Sequence, residues 1–208
     1  MKTVLLILAT LSTFSAHAAV PNDASAARPL AIGDTVPDVS VRSFSGESLS
    51  LSEITSEKPT MLIFYRGGWC PYCNRHLADV QKLKDTIDGM GFQVIALSPD
   101  RPEKIKEAME AESLGYQLYS DSAADAMKAF GVAFKLDTDL VSTYKNEYGI
   151  DIESDSGMTH HILPVPALCL IGTDGKINFA HFDPNYRERL KAATILAELK
   201  RVRALELR

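Results

Sequence analysis

Two cysteines three residues apart stand in the phrase Arg66-Gly67-Gly68-Trp69-Cys70-Pro71-Tyr72-Cys73, after an apolar strand-like run and at the start of a helix-like one. The thiolate is the reactive form of cysteine, and a helix N-terminus favours the anion through its free N–H groups and positive dipole end. Cys70, at that position, is the candidate reactive sulfur. Cys73 falls on the same helical face, close enough for a Cys70–Cys73 disulfide to form without a backbone rearrangement. The spacing therefore describes a redox pair, one thiol to attack and the other to resolve.

Residues around the pair carry narrower expectations. Pro71, in the first helical turn, removes no hydrogen bond and presets the backbone angle. Gly67 and Gly68 permit backbone conformations and close approach that side chains would block. Tyr72 either hydrogen-bonds a sulfur or fills the second variable slot of the motif. His76, one turn after Cys73, reads as an exposed helix residue. Cys169, between Leu168 and Leu170 in a run apolar throughout, reads as a buried thiol behaving as a small hydrophobe. A structural zinc would need a second ligand pair. His160-His161 is the only nearby candidate, and adjacent histidines diverge on a regular backbone, so no metal is expected.

The start of the chain sets the redox compartment. Lys2, the apolar run Val4 to Phe14 and the small-x-small Ala16-His17-Ala18 form a three-part export signal, residues 1–18, with cleavage before Ala19. The apolar run is too short to span a bilayer. The expectation is a periplasmic protein, or a secreted one where no outer membrane exists, with no membrane association after cleavage. A formal charge of -5 without a basic run argues against nucleic acid or an anionic membrane as partner. The remaining length suits one domain with a real core, and three cysteines are too few for a disulfide scaffold. Residues 19–29 read as a flexible polar lead and 30–208 as the domain.

That domain alternates strand and helix patterns. Val36 to Phe44 and Ser48 to Leu51 flank a Ser45-Gly46-Glu47 turn as a hairpin. Thr60 to Tyr65 and Phe92 to Leu97 are buried strands, separated by a helix from Pro71 to Met90 with Leu77, Val80, Leu83 and Ile87 at helical spacing. A helix over Pro102–Glu112, a short strand over Tyr116–Tyr119 and a helix over Ala123–Phe130 follow. Residues 132–161 read as an insertion with one helix near Leu140–Tyr148 and a polar loop through Asp151–Ser156. A hairpin over Val165–Ile171 and Lys176–Phe179, then a helix over Tyr186–Leu207, close an α/β layered sheet.

The strand, the Trp-Cys-Pro-Tyr-Cys phrase, the helix and a Val165-Pro166 step leading into a strand resemble the thioredoxin-like fold. Gly33-Asp34 through Pro37-Asp38, the hairpin before Leu51-Ser52-Glu53, the phrase Phe64 to Cys70, Ala96-Leu97-Ser98 and Thr173-Asp174-Gly175 resemble the alkyl hydroperoxide reductase and thiol-specific antioxidant (redoxin) family, that is, peroxiredoxin-like proteins. The resemblance implies a central mixed sheet flanked by helices, an N-terminal β-hairpin extension and an insertion before a strand opened by a cis Pro166. It implies reduction of hydrogen peroxide or organic hydroperoxides, with Cys70 passing through a sulfenic acid to the Cys70–Cys73 disulfide, an external thioredoxin-like dithiol resetting the pair, and no cofactor. It also favours a shielding and docking role for Trp69 over plain packing.

Departures from the family signature are specific. The proline seven residues, and the threonine or serine three residues, ahead of the peroxidatic cysteine are replaced by Ile63 and Gly67, and the later arginine falls on Pro166. Arg66 is the candidate replacement for that charge. The alternative reading is a thiol-disulfide oxidoreductase acting on protein disulfides, the fold kept and peroxide chemistry lost.

Overall fold

A computed structural model describes residues 19–206. The expected export signal, residues 1–18, lies outside the described residues. The chain forms β1 (Ser40–Arg42), β2 (Ser48–Ser50), α1 (Leu51–Ser56), β3 (Thr60–Phe64), α2 (Pro71–Lys82), α3 (Lys84–Gly89), β4 (Gln93–Ser98), α4 (Pro102–Ala111), β5 (Gln117–Ser120), α5 (Asp125–Ala129), β6 (Ala133–Lys135), α6 (Thr138–Glu147), α7 (Ile152–Ser156), β7 (Ile162–Pro164), β8 (Ala167–Ile171), β9 (Ile177–Phe182) and α8 (Ala192–Glu206).

Seven strands make one mixed sheet in the order β2-β1-β5-β4-β3-β8-β9, with β3, β4 and β5 parallel and the β1–β2, β1–β5, β3–β8 and β8–β9 pairs antiparallel. All five residues of β3 are buried, as a central strand covered on both faces requires. Its side chains alternate between layers: Met61 and Ile63 pack with Leu77, Val80, Ile195 and Leu199 on one face, Leu62 and Phe64 with Phe130 and Ile95 on the other.

The expected N-terminal hairpin is present, with Val41 opposite Leu49. Three elements differ from the sequence expectation. The helix after the cysteines is broken at Leu83, whose N–H donates to Val80 O at 2.9 Å in a tighter turn that keeps Ile87 on the core face. Asp151–Ser156, read as loop, contains α7, started by Asp151, whose Oδ1 accepts from Ser154 N–H at 3.0 Å. The last helix begins at Ala192 and not Tyr186: Asp183 Oδ1 accepts from Asn185 N–H, and Glu188 N–H donates to Asn185 O, committing this segment to turns.

The insertion is closed at its base by a two-stranded ribbon, β6 against β7, with Phe134 opposite Leu163. The lead expected to be flexible is docked: Arg28 N–H donates to Gly131 O and Leu30 N–H to Phe130 O, both at 3.0 Å, Pro21 O accepts from Lys135 N–H at 2.7 Å, and Ala27 is buried. No helix among the described residues is long and apolar enough to cross a membrane.

Candidate redox site

β3 ends at Phe64 in the middle of the sheet, and the next six residues carry the chain over to the first turn of α2. Cys70 is the N-cap of that helix and Pro71 opens it; Cys70 O accepts from the N–H groups of Cys73 and Asn74, both at 3.0 Å. The turn depends on Gly67, whose φ of +143° lies where side chains are disfavoured; a Cβ there would collide with the Trp69 indole nitrogen and come within 2.8 Å of Asp100 Oδ1. Gly68 is also close-packed, 3.2 Å from Ala108 Cβ for an added Cβ.

The two sulfurs are unbonded thiols 2.6 Å apart, about half an ångström beyond a disulfide bond. Their surroundings separate them chemically. The Cys73 thiol hydrogen bond is the largest influence on Cys70, which is lowered from 9.0 to about 6; the Cys73 N–H and the Arg66 and Arg189 charges act in the same direction, against desolvation. Burial is the main cause that pushes the Cys73 thiol well above its ordinary range, with Cys70 adding to it. Near neutral pH the site therefore holds one thiolate and one thiol, in the order expected for an attacking and a resolving cysteine.

Two guanidinium groups supply the positive charge. Arg66, only 4% exposed, donates from Nη2 to Tyr144 Oη at 2.6 Å and lies 4.4 Å from the Tyr186 ring centroid, 5.2 Å from Trp69 and 5.7 Å from Tyr144. Tyr144 comes from the insertion helix α6 and Tyr186 from the segment between β9 and α8, so one arginine gathers two distant stretches of chain onto its own turn. Arg189, from that same segment, donates from Nη2 to Cys73 Sγ at 3.2 Å and is itself steadied by bonds from Nη1 to Tyr186 O and Glu188 O. Neither arginine forms a salt bridge with a carboxylate among the described residues.

The remaining expected residues fall as follows. Trp69 is half-buried, its ring edge-on to Tyr144 at 5.8 Å. Tyr72 makes no bond to sulfur; it is 37% exposed and packs edge-on against Tyr186. His76 corrects the exposed reading: its ring is buried beside Arg189, Nε2 has no partner, and desolvation lowers it to about 4, so it is neutral. Cys169 projects into the opposite layer of the sheet from Cys70 and Cys73, and burial pushes it up to about 12. His160 bridges Ser122 O and Ile162 N–H while His161 turns to Glu153, and among the described residues no group of three or more His, Cys, Asp or Glu is placed to hold a metal.

Pro166 is corrected outright, because no peptide bond among the described residues is cis. Trans is the ordinary preference of X–Pro, and here the flanking backbone is already in use: Val165 N–H donates to Val132 O at 2.8 Å, and Pro166 O accepts from Asp183 N–H at 3.2 Å. Val165 N–H and Pro166 O are therefore not free to pair with a substrate strand.

Residues 32–180 match the AhpC/TSA family. The chain belongs to that family. It is 29% identical over 104 residues to peroxiredoxin Bcp of Escherichia coli, an alignment covering 50% of this chain, and the chain spans 66% of the length of that relative. A putative peroxiredoxin of Mycobacterium tuberculosis is 23% identical over 169 residues, covering 81% of this chain and 92% of its own. Among solved structures, reduced Prx3 of Vibrio vulnificus in complex with hydrogen peroxide superposes with a TM-score of 0.67 at 20% identity, covering 82% of this chain and 99% of that one. Peroxidoxin BcpB of Mycobacterium tuberculosis superposes at 0.61 with 22% identity, covering 82% and 97%. These likenesses show that the AhpC/TSA chain has the thioredoxin-like fold of peroxiredoxins. Arg189 and Tyr144 are the site residues that sequence reasoning missed. Arg189 stands in a stretch whose pattern reads as helix, and nothing local marks either residue as a partner of the cysteines.

Proposed function

We propose that this AhpC/TSA protein is a thiol peroxidase in which Cys70 attacks a hydroperoxide and Cys73 resolves the product. The observation that carries the reading is the geometry of the pair: two unbonded sulfurs 2.6 Å apart at the start of α2, beside two guanidinium groups that have no carboxylate partner among the described residues.

In the first step the Cys70 thiolate displaces at the O–O bond of ROOH, its sulfur gains the hydroxyl oxygen, and RO⁻ leaves and takes a proton from solvent. Developing negative charge on the leaving oxygen is the kind of charge that Arg66 and Arg189 offset. Next the Cys73 sulfur attacks the Cys70 sulfenic sulfur; the Cys73 proton and the sulfenic hydroxyl depart together as water, leaving the disulfide. Arg189, at hydrogen-bonding distance from Cys73 Sγ, favours the anionic character that this sulfur must acquire. An external thioredoxin-like dithiol then returns two electrons. The export signal expected from residues 1–18 assigns this cycle to the periplasm.

The test mixes reduced protein with hydrogen peroxide or an organic hydroperoxide by stopped flow, for the wild type, Cys70→Ser and Cys73→Ser, beside a protein disulfide as competing substrate. Oxidation at least about a hundredfold faster than a free thiol, abolished in Cys70→Ser and leaving a sulfenic acid in Cys73→Ser, is the expected result. Peroxide oxidation no faster than a free thiol, with rapid exchange into protein disulfides, would replace this reading with the oxidoreductase one.

A further inference from the structure

Gly68 sits midway between Arg66 and Cys70, and both polar groups of its backbone are taken by side chains from elsewhere. Its N–H donates to Asp100 Oδ2 at 2.8 Å, and its carbonyl accepts from Asn74 Nδ2 at 2.8 Å. Asp100 lies just past the end of β4, fully buried, and is itself secured: Ser98 Oγ donates to Oδ2 at 3.0 Å and Asp100 N–H donates to Ser98 Oγ at 3.3 Å. Asn74 belongs to the first turns of α2. The glycine is thus strung between the end of a central strand and the helix that carries the cysteines.

On its outer side this turn faces a cavity of about 260 Å3, bounded in part by Gly68, Trp69, Asn74, Asp100, Lys104 and Ala108. The turn packs closely on Trp69, Asp100 and Ala108, and the two hydrogen bonds fix the orientation of the Gly68 peptide within that packing. Residue 67 adopts a backbone conformation that ordinary side chains avoid, so the turn has a soft, glycine-rich hinge immediately before the clamp. A shift of Gly68 displaces the guanidinium two residues before it and the thiol two residues after it together.

We propose that Asp100 and Asn74 are positioning residues that grip the Gly68 peptide and thereby hold the Arg66 charge and the Cys70 sulfur in the register that keeps Cys70 ionised. The acceptor at Gly68 N–H is the essential property of residue 100, and the donor at Gly68 O that of residue 74. The inference rests on the reading of Cys70 as the reactive thiolate, but not on what that thiolate attacks.

The test uses the reduced full chain of the wild type, Asp100→Ala, Asp100→Asn and Asn74→Ala, with two readouts: the pH titration of thiolate absorbance and the iodoacetamide alkylation rate of Cys70. Both alanine variants are expected to raise the Cys70 titration midpoint by about half a unit or more and to slow alkylation at pH 6 at least about twofold. Asp100→Asn, whose amide oxygen still accepts from Gly68 N–H, is expected to titrate like the wild type. Alanine variants that titrate like the wild type would overturn the proposal, and so would an asparagine variant shifted as far as alanine, which would make the carboxylate's charge and not its grip the cause. Should Asp100→Ala fail to fold, Asn74→Ala and Asp100→Asn decide it. Because neither readout involves peroxide, a protein inert to hydroperoxides would sink the peroxidase reading and leave this one standing.

Discussion

Arg189 acts on both Cys70 and Cys73, adding a positive charge to the larger influences of the thiol–thiol hydrogen bond and of burial. Its guanidinium lowers both thiols, and it is the cation that touches Cys73 directly. Because Cys70 is depressed to about 6, its thiolate forms as pH rises through that value, and reactivity is expected to be half-maximal near pH 6 and level above about pH 7. Replacing the guanidinium by Arg189→Ala should move the midpoint upward, lower the alkylation rate near pH 6, and slow closure of the disulfide after peroxide treatment. Arg189→Lys, which keeps a charge but loses the planar fork, should fall between the two. Iodoacetamide kinetics from pH 4 to 9 check the order; identical profiles for all three proteins would remove Arg189 from the site. Guanidinium groups from two separate stretches of chain thus lie beside the cysteines.

At the scale of elements, the insertion does more than lengthen the chain. Helix α6 delivers Tyr144, whose hydroxyl accepts from buried Arg66, and whose ring leans on Trp69 and Tyr148. Tyr144→Phe removes the acceptor and keeps the ring, so the expected cost is that of one hydrogen bond to a charged donor, about 1.5–3 kcal/mol in urea unfolding, discounted toward the lower end because Tyr144 is only half-buried. No loss of stability would mean that Arg66 finds another acceptor. What could be read in advance follows the range of the signal. β3 announces itself by four consecutive apolar residues after Thr60, α2 by Leu77 and Val80 one turn apart after a proline, the N-terminal hairpin by alternation about a glycine turn. The Arg66–Tyr144 bond spans 78 positions and the Arg189–Cys73 bond 116, and no local propensity encodes either. The same limit explains His76: a helix pattern tells which face it shares with Cys73, but only the later arrival of Arg189 and the β9 hairpin buries that face. β6, β7 and α7 are too short for periodicity to register.

At the scale of the molecule, the sheet keeps two separate interiors. The layer containing Cys70 and Cys73 is covered by α2, α3, α4 and α8; the other, containing Cys169, is closed by α1, α5 and the docked lead. The lead contributes two backbone hydrogen bonds to the body of the domain, from Arg28 N–H and to Pro21 O, at about 0.5–1.5 kcal/mol each, together with the burial of Ala27. Removing residues through Pro29 is therefore expected to lower unfolding free energy by about 1–3 kcal/mol while leaving Cys70 titration unchanged, since the two regions lie on opposite faces. A shift in the titration would show that the layers communicate through the sheet.

Both sulfurs are 1–2% exposed, walled by an arginine wrapped in tyrosine and tryptophan rings. In the proposed cycle the traffic through this wall is asymmetric in size: a hydroperoxide needs only a crevice, whereas a protein dithiol would have to bring its own sulfur into line with the disulfide and so part the rings. The oxidising and reducing halves of the cycle accordingly make different demands on the same doorway, and it is the second that requires the aromatic wall to yield.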